Sequence, residues 1–133
     1  MAHEQGVPRV LVVDDEESVR RFAEAALRQA RYEVAVASEG SEALRMAEEQ
    51  GPFDLILADL VMREMRGDEL ARQVRRLYPD MKVLYFTGYS DRLFEERKVL
   101  WEKEAFIDKP VSMKGLLDAV SLILFGHTRG LLR

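Results

Sequence analysis

Two adjacent aspartates, Asp14 and Asp15, follow directly after the apolar run VLVV at residues 10 to 13. Two like charges placed side by side repel each other, so the pair calls for an explanation. An aspartate after a strand is often the N-cap of the next helix, because its side-chain oxygen accepts a free backbone N–H. The pair alone therefore fits either a helix cap or a binding site, and the rest of the chain must decide.

Other reactive side chains, Asp59, Thr87 and Lys109, also follow short apolar runs. In open parallel sheets ligands bind beyond the carboxyl ends of the strands, so these side chains should meet at one edge. Three converging carboxylates are costly unless a cation lies among them, and oxygen ligands without His or Cys favour a hard ion. We therefore predict a Mg²⁺ site formed by Asp14, Asp15 and Asp59.

A carboxylate beside such a metal can attack phosphorus and form an aspartyl phosphate, if the repulsion between the two anions is offset. Mg²⁺ would offset it by bridging the attacking carboxylate and a phosphoryl oxygen. Lys109 can reach a second phosphoryl oxygen, and the Thr87 hydroxyl can donate to a third. Each residue alone is more often structural, but their joint placement at strand ends favours phosphoryl transfer to Asp59.

Five short apolar runs, rich in β-branched and aromatic residues, predict the strands that position these side chains. The runs are residues 10–13, 34–36, 55–58, 83–86 and 106–107. Because the runs are continuously apolar, they are typical of a parallel sheet that is covered on both faces.

Apolar residues at helical spacing lie between and after these runs and predict five helices. The helical patterns cover residues 19–30, 43–47, 70–77, 90–103 and 113–124. The pattern over 90–103 is the weakest, because Arg97 interrupts it. Strict alternation of strand and helix predicts an α/β fold, a single-domain, doubly wound, five-stranded parallel sheet with helices on both faces.

Composition limits the possible functions. The chain has 133 residues, 47% of them hydrophobic and 33% charged, which suits one domain with a core. Its net charge of −4 argues against direct nucleic-acid binding, and the absence of cysteine excludes disulfides, thiol catalysis and Cys-ligated zinc. No signal peptide or bilayer-spanning run is evident, so we expect no membrane association and a cytoplasmic location.

Four spaced motifs make the chain resemble a receiver domain of bacterial two-component signalling. The motifs are LVVDDE at 11–16, LILADLVMREMRGDEL at 55–70, VLYFTGYS at 83–90 and FIDKP at 106–110. The resemblance implies the flavodoxin-like strand order 2-1-3-4-5. We accordingly expect a flexible N-terminus over 1–8, a receiver domain over 9–125, and a C-terminal tail over 126–133 with no output domain.

The resemblance also implies a set of site residues. Asp59 would be the phosphoacceptor, Asp14 and Asp15 the acidic pocket that binds Mg²⁺, and the backbone carbonyl of Val61 the last protein ligand of the metal. Lys109 would be the phosphate-binding lysine, joined to the next residue by a cis peptide bond. The phosphoryl donor would be a histidine kinase or a histidine phosphotransfer protein.

Two further residues would read the phosphorylation. A phosphoryl group on Asp59 would draw the Thr87 hydroxyl inward and leave space into which Phe106 turns. The face formed by the fourth helix, the fifth strand and the fifth helix would then change, and would contact a downstream protein or form a homodimer. Phe106 could equally be an ordinary core aromatic. Such a domain is not an enzyme beyond assisting its own phosphotransfer; whether it also assists its own dephosphorylation stays open.

Two alternatives stay open. A Mg²⁺-dependent phosphatase with an aspartate nucleophile would carry a general acid two residues after the nucleophile, where this chain has Val61. A receiver-like interaction module that is not phosphorylated would not need to keep the acidic pair, the acceptor, the threonine and the lysine together. One departure from the family pattern is Arg63, where many members have proline; it removes a constraint on φ and adds a cation near the site.

Overall fold

The computed structural model describes residues 6–87, 104–109 and 111–126, with the backbone alone at 87, 104, 106 and 108. The helix predicted over 90–103 lies outside the described residues. So does Pro110, and with it the cis bond that the resemblance implies.

The described residues form five strands and four helices. The strands are β1 Arg9–Val13, β2 Glu33–Ala37, β3 Leu55–Ala58, β4 Lys82–Thr87 and β5 Glu104–Asp108. The helices are α1 Glu17–Gln29, α2 Gly40–Gln50, α3 Gly67–Leu77 and Met113–Phe125, here named the 113–125 helix. All neighbouring strands are parallel, in the order β2-β1-β3-β4-β5. The predicted α/β fold and its strand order are therefore confirmed.

The two faces of the sheet bury separate apolar cores. On one face, alternate residues of the central strands, among them Leu11, Ile56 and Val83, pack against α2 and α3. Leu70 and Val74 of α3 belong to the same core. On the other face, the intervening strand residues, among them Val12, Leu57 and Leu84, pack against α1 and the 113–125 helix. Leu27 of α1 and Leu116 of the 113–125 helix belong to this core. Because both faces are covered, the strands are continuously apolar in sequence.

Backbone hydrogen bonds carry the sheet pairing one residue past the strand ends. The N–H of Asp59 donates to the carbonyl of Val13 at 2.9 Å, and the N–H of Asp14 donates to the carbonyl of Ala37 at 3.3 Å. Strand β1 lies between β2 and β3, so the chain crosses to opposite sides of β1 at this edge. Such a reversal of strand order opens a crevice at the carboxyl ends of the strands.

The helix ends agree with simple capping rules. The Ser112 side chain accepts the N–H of Gly115 at 2.9 Å and begins the 113–125 helix. Gly126 ends it in the left-handed region, with φ of 83°, and its N–H donates to the carbonyl of Leu122 at 2.8 Å. Among the described helices, none combines the length and the apolar character needed to cross a bilayer.

Gly67 brings the start of α3 against the backbone that follows β3. Its N–H donates to the carbonyl of Leu60 at 2.9 Å, which closes the loop between β3 and α3. A Cβ atom at this position would collide with the carbonyl oxygen of Asp59 and lie 3.2 Å from the Cα of Leu60. Because these are backbone atoms, they cannot yield without moving the loop.

We predict that Gly67→Ala lowers the free energy of unfolding by about 2 to 4 kcal/mol, because the added methyl group overlaps the Asp59 carbonyl. Urea denaturation measures the change. Gly115→Ala is the control: its Cβ would meet only side-chain atoms, at 3.0 Å from Val111 and 3.2 Å from Ser112. In this helical position alanine also has the better propensity, so the control should stay within about 1 kcal/mol of wild type. Equal losses in both variants would contradict the prediction.

Candidate functional site

The two carboxylate oxygens of Asp14 have different surroundings. The side chain is buried, and Oδ1 accepts the backbone N–H of Glu16 at 2.9 Å. Oδ2 lies 2.9 Å from Nζ of Lys109, yet it accepts no well-aligned hydrogen bond from the described residues. Support of the turn before α1 therefore accounts for one oxygen, and the other points into the site.

Asp59 is also buried, at the end of the central strand β3. The backbone N–H of Val61 donates to its Oδ1 at 3.2 Å, and its Oδ2 lies 3.5 Å from Nζ of Lys109. The carboxylate is thus held by the backbone of the loop on one side and faces the lysine on the other.

Asp15 is the more accessible member of the pair, with 21% of its side chain exposed. Its Oδ2 accepts the backbone N–H of Arg63 at 3.3 Å, and Nε of the same arginine lies 3.8 Å away. The Arg63 side chain is 89% exposed. The cation that the sequence places in this loop therefore lies beside Asp15.

Lys109 lies among carboxylates, with 18% of its side chain exposed. Its Nζ is 2.9 Å from Asp14, 3.5 Å from Asp59 and 3.5 Å from Glu16. The ammonium also lies 5.4 Å from the centre of the Phe86 ring, within the range of a cation–π contact. Glu16, the third acidic residue of LVVDDE, was not among the residues predicted for the site.

Burial and mutual repulsion shift the ionisation of the site. Burial, with the nearby charge of Asp14, raises the pKa of Asp59 to about 6, although Lys109 acts in the opposite direction. Burial also raises the pKa of Asp14. For Lys109, burial tends to lower the pKa, but contact with Asp14 and the charges of Asp59 and Glu16 raise it overall. The site therefore holds more negative charge than its lysine neutralises.

The arrangement suits a divalent cation. One carboxylate oxygen from each of Asp14, Asp15 and Asp59 lies within 4.8 Å of the others. All three are hard oxygen donors, as Mg²⁺ requires. Asp14 contributes a buried oxygen that accepts no aligned hydrogen bond from the part of the chain that the structure describes. The structure thus brings the predicted acidic residues together with Lys109.

Thr87 and Phe106 are placed through their backbones. Thr87 is the last residue of β4 and pairs with Asp108, which immediately precedes Lys109. Phe106 pairs with Tyr85 in the middle of β5. Their side chains lie outside the described residues, so both switch roles stay predictions.

Comparison with known sequences gives one family. A family model described as the response regulator receiver domain matches residues 10–121. The chain is 38% identical over 120 residues to the sensor kinase CckA of Brucella abortus (strain 2308), which is 90% of this chain and 13% of that protein. It is 32% identical over 116 residues to the response regulator receiver protein CpdR of the same strain, which is 87% of this chain and 96% of CpdR.

Solved structures agree with the sequence comparison. The response regulator protein TrrA from Thermotoga maritima, crystallised in complex with Mg²⁺-BeF, is 30% identical to this chain. The two superpose with a TM-score of 0.77 over 89% of this chain and 100% of TrrA. Sequence and fold therefore indicate the same family.

We predict that Asp59→Asn stabilises the metal-free fold at neutral pH. The folded-state pKa of Asp59, about 6, lies above its ordinary value of 3.8, so the folded protein binds the proton more tightly than the unfolded chain does. Wild-type stability from this group is therefore lost as the pH rises from 3.8 to 6. In EDTA, the variant should exceed wild type by about 1 to 3 kcal/mol at pH 7.5 and show almost no difference at pH 4.

Urea denaturation across this pH range measures the difference. Asp118→Asn is the control, because Asp118 pairs with Lys114 at 2.7 Å on the 113–125 helix and contacts none of the site carboxylates in the described contacts. A difference between Asp59→Asn and wild type that stays constant with pH would contradict the assignment of a raised pKa.

Proposed function

This chain belongs to the response regulator receiver domain family, and we propose that the phosphoryl group which switches it is carried on Asp59. Receiver domains are phosphorylation-dependent signalling switches that partner with histidine kinases and phosphotransfer proteins. One observation carries the proposal: three carboxylates and the Lys109 ammonium converge at the carboxyl ends of β1, β3 and β5. Within this group Asp59 is the acid that follows the central strand β3.

The chemistry is a phosphoryl transfer with Asp59 as the nucleophile. An oxygen of the carboxylate bonds to phosphorus, and the bond from phosphorus to the donor nitrogen breaks, leaving its electron pair on the donor histidine. The Val61 N–H holds Oδ1, which leaves Oδ2 on the side of Lys109 as the attacking atom. The ammonium is already 3.5 Å from that oxygen and can pair with the incoming phosphoryl oxygens.

Asp14, Asp15 and Asp59, with the backbone carbonyl of Val61, would hold Mg²⁺ in this chain. When bound, the metal supplies positive charge that offsets the repulsion between the carboxylates and the phosphoryl group. The cluster of oxygen donors supports this proposal, and so does the Mg²⁺-BeF bound by the related TrrA.

The conformational response would pass through Thr87 and Phe106. A phosphoryl oxygen would draw the Thr87 hydroxyl toward Asp59, and Phe106 would turn into the space that this vacates. The change would reach the surface formed by β5 and the 113–125 helix together with the fourth predicted helix. Exposed Met113 and Leu122 on the 113–125 helix support contact there with a downstream protein or a second copy.

The rival functions have weaker support. A phosphatase of this type would place an acid two residues after the nucleophile, whereas this chain has Val61 there, whose side chain carries no proton to donate. An interaction module that takes no phosphate would have no need for buried carboxylates that destabilise its fold. The family itself does not consist of enzymes in the ordinary sense.

We predict that incubation with acetyl phosphate and Mg²⁺ at neutral pH adds one phosphoryl mass to the protein. Under these conditions the Asp59 carboxylate is ionised and lies beside two positive charges, the Lys109 ammonium and Mg²⁺. Intact-mass spectrometry measures the gain. Asp59→Asn and a sample in EDTA should show no gain, whereas Asp118→Asn should behave as wild type. A gain that survives in Asp59→Asn would place the acceptor elsewhere. If wild type gains no mass but binds beryllofluoride, the site requires its kinase rather than a small donor.

We predict that Mg²⁺ raises the melting temperature of the wild-type protein, since a ligand that binds only the folded state stabilises it. At a concentration ten times the dissociation constant, the rise should be on the order of 5 °C. Asp15→Asn should lose most of the rise, and Asp118→Asn should keep it, both measured against EDTA by differential scanning fluorimetry. An equal rise in Asp15→Asn would show that the ion does not bind at this acidic pair.

A further inference from the structure

Arg63 contacts Asp15 in two independent ways. Its backbone N–H donates to Oδ2 of Asp15 at 3.3 Å, and its guanidinium Nε lies 3.8 Å from the same oxygen. The first contact belongs to the loop and any residue other than proline could make it. The second belongs to the side chain alone, so the two can be separated by substitution.

The cations around the site differ in how firmly they are held. Lys109 is mostly buried and pairs with Asp14 and Asp59. Arg20 donates through Nη1 to the carbonyl oxygen of Asp14 at 2.7 Å, which ties it to the backbone. Arg63 is 89% exposed and its contact with Asp15 is long for an ion pair. The contact with Asp15 can therefore break at little cost in free energy, because an exposed ion pair of this kind is weak.

The space around Asp15 is large enough for a metal ion to replace the Arg63 guanidinium. A polar cleft of about 210 Å³ borders Asp15 and is also lined by Ser38, Glu39, Arg63 and Glu64. A hydrated ion can approach Asp15 from this side. To bind, it must share Oδ2 with the guanidinium or displace it.

We propose that Arg63 is a displaceable counter-ion of Asp15 that lowers the affinity of the site for Mg²⁺. The proposal rests on the metal site of the proposed function and deepens it. A positive charge 3.8 Å from a ligand oxygen competes with the metal for that oxygen and repels it. By linkage, metal binding must weaken the hold of Asp15 on Arg63 by the same factor. Binding of the ion therefore frees a cation on the outer surface of the loop that follows the phosphoacceptor.

Isothermal titration of the full chain with MgCl₂ tests the proposal. Arg63→Gln keeps the backbone N–H and removes the charge, so it should bind Mg²⁺ about two- to fivefold more tightly than wild type. Arg63→Lys keeps a positive charge and should stay near wild type. Arg21→Gln is the matched control: Arg21 is 77% exposed and pairs with Glu17 at 2.7 Å, so its loss should leave the affinity unchanged.

The salt dependence of the Mg²⁺ affinity is a second measurement. It distinguishes an electrostatic effect of Arg63 from a purely structural one, which salt would not change. The gain in Arg63→Gln should shrink as the salt concentration rises, because salt screens an exposed charge. Unchanged affinity in Arg63→Gln, or an equal gain in Arg21→Gln, overturns the proposal. If Asp59 is still phosphorylated at saturating Mg²⁺ in those samples, the proposed function stands and this inference alone fails. If wild type binds no Mg²⁺, the metal site and this inference fail together.

Discussion

Repulsion among buried carboxylates is the constraint on which the site depends. Asp14 and Asp59 are both buried at the end of an apolar sheet, and Lys109 pairs with both. Removing carboxylates from water disfavours their charged forms, and each charge disfavours the other. The pKa of Asp59, raised to about 6, records this cost. The fold therefore keeps an excess of negative charge that a divalent ion can neutralise.

Such a site needs a frame that does not relax. The sheet supplies it, because apolar cores on both faces fix the ends of β1 and β3. Backbone hydrogen bonds then hold the acids that follow: Asp59 donates to Val13, and Val61 donates back to the Asp59 carboxylate. Gly67 lets α3 begin against the Asp59 carbonyl, which closes the loop. The same packing therefore buries the repelling carboxylates and holds the backbone around them rigid.

The sequence predicted the frame well and the loops poorly, for a physical reason. Continuously apolar strands and helical stripes follow from burial, so the five strands and four of the helices could be predicted, whereas the strand order came from the family resemblance. Carboxyl ends of parallel strands share one edge, so the meeting of Asp14, Asp15, Asp59 and Lys109 could also be predicted. The direction of each oxygen depends on loop backbone geometry, which has no periodic signature. The contact of Glu16 with Lys109 and the hydrogen bond from Val61 to Asp59 were therefore missed.

Burial also distinguishes Lys109 from Arg63, two cations that contact the site carboxylates. Displacing Lys109 would take the lysine charge away from two buried carboxylates in a medium of low dielectric, so Lys109 is expected to stay within the site and move only between oxygens. Displacing Arg63 breaks only an exposed contact, and it frees an oxygen of the accessible Asp15. The buried lysine thus makes the charged site tolerable to the fold. As a displaceable counter-ion, the exposed Arg63 would set how readily Asp15 exchanges a guanidinium for a bound metal ion.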